Sequence, residues 1–100
     1  MSVKAISTKQ APAAIGPYSQ AIVAGETLYI SGQLPIDPAT GSFAGDDIAA
    51  QTHQSLKNIL AILTANGMDL SNVVKTTVLL QDIAEFGPMN EVYAAYFTAP

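Results

Sequence analysis

One hundred residues allow one domain, which at this size buries about two thirds of the surface its unfolded chain exposes. Four scattered lysines, no arginine, a net charge of −4 and a sequence pI near 4.5 oppose non-specific binding to nucleic acid or anionic membrane, which needs clustered basic charge. The absence of cysteine excludes disulfides, thiolate catalysis and zinc–thiolate sites. Only 12% of residues are charged while 49% are hydrophobic, with a mean hydropathy of +0.28, so polar groups are too few to cover a small domain. The expectation is a homo-oligomer that buries one face against its own copies. The start, Met1-Ser2-Val3-Lys4, has no apolar core of signal-peptide length, and no run approaches the roughly 18 apolar residues of a membrane span. A cytoplasmic protein is therefore expected.

Residues 3–8 alternate, with Val3, Ala5 and Ser7 on one side and Lys4, Ile6 and Thr8 on the other, as a peripheral strand would. Residues 10–17 carry two prolines and a glycine and read as a loop. Residues 19–24 and 27–33 are rich in β-branched and aromatic side chains around Gly25-Glu26, which predicts a β-hairpin with a two-residue turn. Pro35, Asp37-Pro38 and Thr40-Gly41 mark an ordered, turn-rich connection. Asp46 or Asp47 is an N-cap for the next helix. Ile48, Leu56, Ile59, Leu60 and Leu63 repeat at helical spacing there, and the hydrophilic Gln51, Gln54, Lys57 and Asn58 fall mainly on other faces. Asn66-Gly67 ends that helix, with Gly67 at the left-handed position and Met68 packing back.

Residues 72–80 read as a fourth strand, whose more apolar set, Val74, Thr76, Val78 and Leu80, is expected to face the helices. Asp82 and Glu85 form a capping pair, and Pro88 suits the first position of a last helix. Met89, Val92, Tyr93, Tyr96 and Phe97 form its core-facing stripe. The order is β-β-β-α-β-α, an α+β domain with two helices packed on one face of a mixed sheet.

Taken singly, the polar residues have plain structural explanations. Tyr18 reads as a rim tyrosine with its hydroxyl in water, and Ser31-Gly32 as a strand end where backbone approaches closely. Asn90 sits in a first helical turn, where amides satisfy local backbone groups. His53, the one imidazole, has no nucleophile or carboxylate at a motif spacing and reads as a surface or interface residue. The acidic pairs are helix caps, and no metal-ligand or phosphate-loop pattern occurs. The residues alone lead to a small, acidic, oligomeric α+β domain.

Five segments in order carry a resemblance. They are Ala13-Ala14-Ile15-Gly16-Pro17-Tyr18-Ser19-Gln20, Ile30-Ser31-Gly32-Gln33-Leu34-Pro35, Gln51-Thr52-His53-Gln54-Ser55-Leu56-Lys57-Asn58, Val74-Lys75-Thr76-Thr77-Val78, and residues 86–97. Together they resemble the Rid family, of YjgF or L-PSP type, across nearly the whole chain. The resemblance implies a chorismate-mutase-like homotrimer with outer helices, sheets around a central barrel and three sites in clefts between subunits. It implies hydrolysis of 2-iminobutanoate or 2-iminopropanoate to the 2-keto acid and ammonia, with no cofactor and no metal. It assigns catalytic roles to Tyr18 and Asn90 and substrate binding to Ser31 and Gly32. It also implies two C-terminal strands after the last helix that carry an arginine for the substrate carboxylate and a glutamate for water. By that standard the domain is C-terminally truncated, with residues 98–100 at the threshold of the first such strand. A non-enzymatic trimer that binds small carboxylates or acts as a chaperone is the alternative. A ribonuclease or translation-inhibitor role fits poorly with the acidic charge.

Overall fold

The computed structural model describes residues 3–97, so the expected threshold at residues 98–100 lies outside the described part. Three short strands, β1 (Val3–Ile6), β2 (Ala21–Ala24) and β3 (Thr27–Ile30), form an antiparallel sheet in the order β1-β2-β3. The hairpin turns at Gly25-Glu26 as expected. Gly25 has φ +63°, and no non-glycine among the described residues has positive φ, which is the glycine-first pattern of a II′ turn.

Register decides which face is buried. Ile6 pairs with Ala21 and Ala21 with Ile30, while Val23 pairs with Lys4 and Leu28. Alternation puts all of these on one face. There Ile6 and Ala21 are buried with Ile62 of the following helix, and Val23, Leu28, Ile30 and Ala61 close around them. The opposite face presents Val3, Ala5, Ile22, Ala24 and Tyr29, and no described element covers it; Val3 and Tyr29 are exposed.

Helix α1 (Ile48–Ala65) starts at Asp47, whose carboxylate accepts the Ala50 N–H at 2.6 Å. It ends in a Schellman motif: Gly67 has φ +70°, its N–H donates to the Thr64 carbonyl, and the Met68 N–H donates to that of Leu63. The hydrophilic face expected from the sequence needs correction. Gln54 and Asn58 are buried, and Asn58 is 0% exposed. Asn58 Oδ1 accepts from Gln54 Nε2 at 2.8 Å, and its Nδ2 donates to the carbonyls of Leu34 and Ile36 at 3.2 and 3.0 Å. A fully satisfied amide can sit in a core. Here it gives the turn-rich connection after Gln33 the hydrogen bonds that a neighbouring strand would otherwise supply.

Helix α2 (Phe86–Tyr96) begins two residues before Pro88, preceded directly by a single 3₁₀ turn (Ile83–Glu85) capped by Asp82. Pro88 still falls in the first turn, where no intrahelical N–H is lost. Of its apolar stripe, Met89 is buried and Val92, Tyr93, Tyr96 and Phe97 are half-buried. The helix packs on α1, with the His53 and Tyr96 rings edge to face at 5.4 Å.

The fourth strand of the expected order is not formed among the described residues. Residues 73–80 follow a short 3₁₀ turn (Leu70–Asn72) and make no strand ladder. Their alternation is real, but a strand needs a partner edge, and β3 does not supply one. Of the set expected to face the helices, Thr76 and Leu80 are half-buried, whereas Val74 is 97% exposed. No helix among the described residues is long and apolar enough to cross a membrane.

Asn58→Ala strands two partly buried carbonyls and the buried Gln54 amide, so urea unfolding should show a loss of about 2 kcal/mol. Val74→Ala touches nothing buried and should change stability by less than about 0.5 kcal/mol in the same measurement.

Candidate functional site

Residues 7–20 connect β1 to β2 and carry Tyr18. Gly16, at φ +111°, holds a conformation that disfavours any side chain, and its carbonyl accepts the Tyr18 N–H at 2.9 Å. This tight turn points the chain back toward β2 and leaves Tyr18 51% exposed. Tyr18 lines a cavity of about 530 Å³ with Thr8, Lys9, Ser19, Gln20 and Pro38 among its other walls.

Ser31 and Tyr18 belong to one unit. The Ser31 hydroxyl donates to the Ser19 carbonyl at 2.7 Å, and the Ser31 N–H donates to the Gln20 carbonyl at 3.0 Å. The hydroxyl proton of Ser31 is therefore committed, and what the residue can offer a ligand is its oxygen lone pairs. Gly32 follows in the open, with no atom beyond its own chain neighbours within 4 Å of where a Cβ would stand, so a small ligand can reach its backbone. Gln33 turns back, its Nε2 donating to the Ser31 carbonyl at 3.1 Å.

Asn90 lies elsewhere. It is exposed on α2 and lines neither the Tyr18 cavity nor a second one of about 210 Å³. The second cavity lies between α1, residues 76–80 and α2, with Gln33 at its edge. Thr76 Oγ1 and the Tyr93 hydroxyl, 2.6 Å apart, close one side of it. The structure thus joins Tyr18, Ser31 and Gly32 and leaves Asn90 apart from them within one chain.

The remaining polar candidates are structural. His53 Nδ1 is 2.7 Å from the Tyr96 hydroxyl, and burial raises the Tyr96 phenol above its ordinary pKa. Asp47 and Asp82 cap helical turns. Asp69 caps another, and hydrogen bonds from the Ser71 hydroxyl and N–H hold its carboxyl below the usual range. Among the described residues no three of His, Cys, Asp and Glu gather as metal ligands.

Two features of the site escaped the sequence reading. Lys9 lines the Tyr18 cavity although it lies outside the five segments. Gln20 is 4% exposed and its amide makes four hydrogen bonds to residues 8–12. Period-two reasoning sends Gln20 to the face opposite the inward Ala21. Nothing in the pattern announces that a loop folds over it.

Comparison with known proteins places this arrangement. The family model described as Endoribonuclease L-PSP matches residues 8–100. The 2-iminobutanoate/2-iminopropanoate deaminase of Rattus norvegicus is 53% identical over 94 residues, spanning 94% of this chain and 69% of that protein. The RutC family protein y4sK of Sinorhizobium fredii is 54% identical over 98 residues, 98% of this chain and 78% of that one. Among solved structures, the YjgF gene product of E. coli superposes with a TM-score of 0.90 at 46% identity, covering 94% of this chain and 73% of that one. E. coli TdcF with bound serine gives the same TM-score of 0.90 at 40% identity and the same coverage of 94% and 73%. With the L-PSP model matched from residue 8 onward and relatives of this closeness along nearly all its length, the chain belongs to the Rid family.

Proposed function

We propose that this chain carries the core of a cofactor-independent deaminase that hydrolyses reactive enamines and imines, 2-iminobutanoate and 2-iminopropanoate, to 2-keto acids and ammonia. The observation that carries the reading is 53% identity, over 94% of the chain, to a rat protein named for that reaction. The geometry around Tyr18 supports it. Water adds to the carbon of the C=N bond, the nitrogen takes up a proton, and ammonia leaves as the keto acid forms. Catalysis by positioning needs the substrate carboxylate held and the attacking water oriented. In this reading the Tyr18 phenol bonds the substrate, Ser31 Oγ accepts from it, the open Gly32 backbone lies against it, and Asn90 contributes its amide.

The carboxylate anchor is assigned to an arginine, and water activation to a glutamate, on strands that the family pattern adds after α2. Lys9 lines the Tyr18 cavity, but an ammonium is a point charge and does not fix a carboxylate's orientation as a bidentate guanidinium does. The uncovered sheet face with Val3 and Tyr29 supports a homo-oligomer, and we read it as the cytoplasmic trimer of the family pattern. Its sites then lie in clefts between subunits, which brings an Asn90 to a Tyr18 from which it is separate within one chain.

A second reading is a non-enzymatic binder of small carboxylic acids, favoured by the E. coli TdcF structure with bound serine. Binding of a keto acid without turnover would support it. The endoribonuclease in the family description finds little support in four lysines and a net charge of −4.

Three outcomes are expected. Size exclusion with light scattering should give a homo-oligomer, and a folded monomer of 10.4 kDa would contradict the assembly. Extending the chain with the corresponding C-terminal segment of the rat deaminase should speed keto-acid release from imines made by a threonine dehydratase, measured under semicarbazide competition. In that protein Tyr18→Phe and Asn90→Ala should each slow the reaction roughly tenfold or more with unchanged circular dichroism. A folded extended chain without acceleration would overturn the deaminase reading.

A further inference from the structure

The amide of Gln20 is buried at the root of the connection that carries Tyr18, and its bonds all run to the far end of that connection. Gln20 Oε1 accepts the Thr8 N–H at 2.7 Å. Its Nε2 donates to the carbonyls of Thr8, Ala11 and Pro12 at 3.0, 3.2 and 2.7 Å. Two N–H groups serve three acceptors, so one is shared, and no other uncharged side chain of this length presents an acceptor and two donors from one planar group. The amide orientation follows from its surroundings, because an N–H faces one side and carbonyls face the other.

The consequence is geometric. β1 ends at Ile6 and β2 begins at Ala21, so residues 7–20 would otherwise be one open connection. The Gln20 amide ties residues 8, 11 and 12 to the start of β2. The span left free shrinks to residues 13–19, with both ends meeting at Gln20. A short closed loop has far fewer conformations than a long one, and Tyr18 sits in the last turn of this one. On the other side, the Gln20 carbonyl accepts the Ser31 N–H and the adjacent Ser19 carbonyl accepts the Ser31 hydroxyl. One residue therefore fixes Tyr18 relative both to its cavity and to Ser31.

We propose that Gln20 is the positioning residue of the Tyr18 site, setting the place of the phenol through its side-chain amide. The part of this that concerns reaction rests on the deaminase reading; the part that concerns the placement of Tyr18 does not.

Gln20→Glu is the informative substitution because it keeps shape and volume. Its one oxygen still accepts from Thr8, but at neutral pH the other faces three carbonyls. Burial and those carbonyls raise its carboxyl pKa. On acidification the neutral acid regains one O–H donor, so the loop should re-form as pH falls through that raised value and loosen as pH rises through it.

The test on this chain is NMR of the Tyr18 ring and amide in the wild type, Gln20→Glu and Gln20→Ala, with α1 amides as the internal reference. In Gln20→Ala, and in Gln20→Glu at neutral pH, the Tyr18 amide protection factor should fall about tenfold and the ring order parameter should drop, with α1 unchanged. In Gln20→Glu alone, acid should restore both. Equal loss of protection in α1, an unchanged Tyr18, or no recovery in acid would each overturn the proposal. In the extended chain, Gln20→Ala should slow keto-acid release in the wild type but add nothing to Tyr18→Phe, and additive losses would overturn its action through Tyr18. If the extended wild type releases no keto acid, the deaminase reading fails while the NMR result still decides the role of Gln20.

Discussion

Two buried side-chain amides hold the irregular half of this domain. Gln20 gathers residues 8–12, and Asn58, braced by Gln54, gathers the carbonyls of Leu34 and Ile36. Strands of four residues can satisfy few backbone groups, and a buried backbone group without a partner is costly. The amides fill that gap from fixed points, one at the base of β2 and one on α1. Because both loops border Ser31-Gly32 or Tyr18, the same bonds that close the fold locate the candidate site.

The apolar surface is divided unevenly. One sheet face meets Ile62 and Ala61 of α1, while the other leaves Val3 and Tyr29 in solvent. Residues 73–80 add a second uncovered region, with Leu79 at 90% exposure. With so few charged side chains, this chain cannot offset exposed apolar groups by surrounding them with charge. Both regions are suited to further β-structure or to a neighbouring subunit.

Much of the fold was legible because its signals are local. Gly25-Glu26 marks the hairpin, Asp47 and Gly67 bracket α1, and the Met89, Val92 and Tyr93 spacing marks α2. Tyr18, Ser31 and Gly32 were singled out only through a family pattern, since a phenol beside a proline says nothing by itself about a cavity. Gln20, Gln54 and Asn58 were missed because polarity suggests solvent, and only the three-dimensional arrangement shows carbonyls waiting for them. The strand expected at residues 72–80 failed for a related reason. Its alternation records a two-faced environment, but a ladder depends on a partner that local sequence does not contain.

The most direct measurement is hydrogen exchange of side-chain amides by NMR, following the NH₂ groups of Gln20 and Asn58 beside those of the exposed Gln10 and Gln81 in one sample. If buried amides hold the loops, the Gln20 and Asn58 protons persist on the timescale of the α1 backbone, while those of Gln10 and Gln81 exchange at once. Exchange of Gln20 and Asn58 at the rate of the exposed pair would contradict the account.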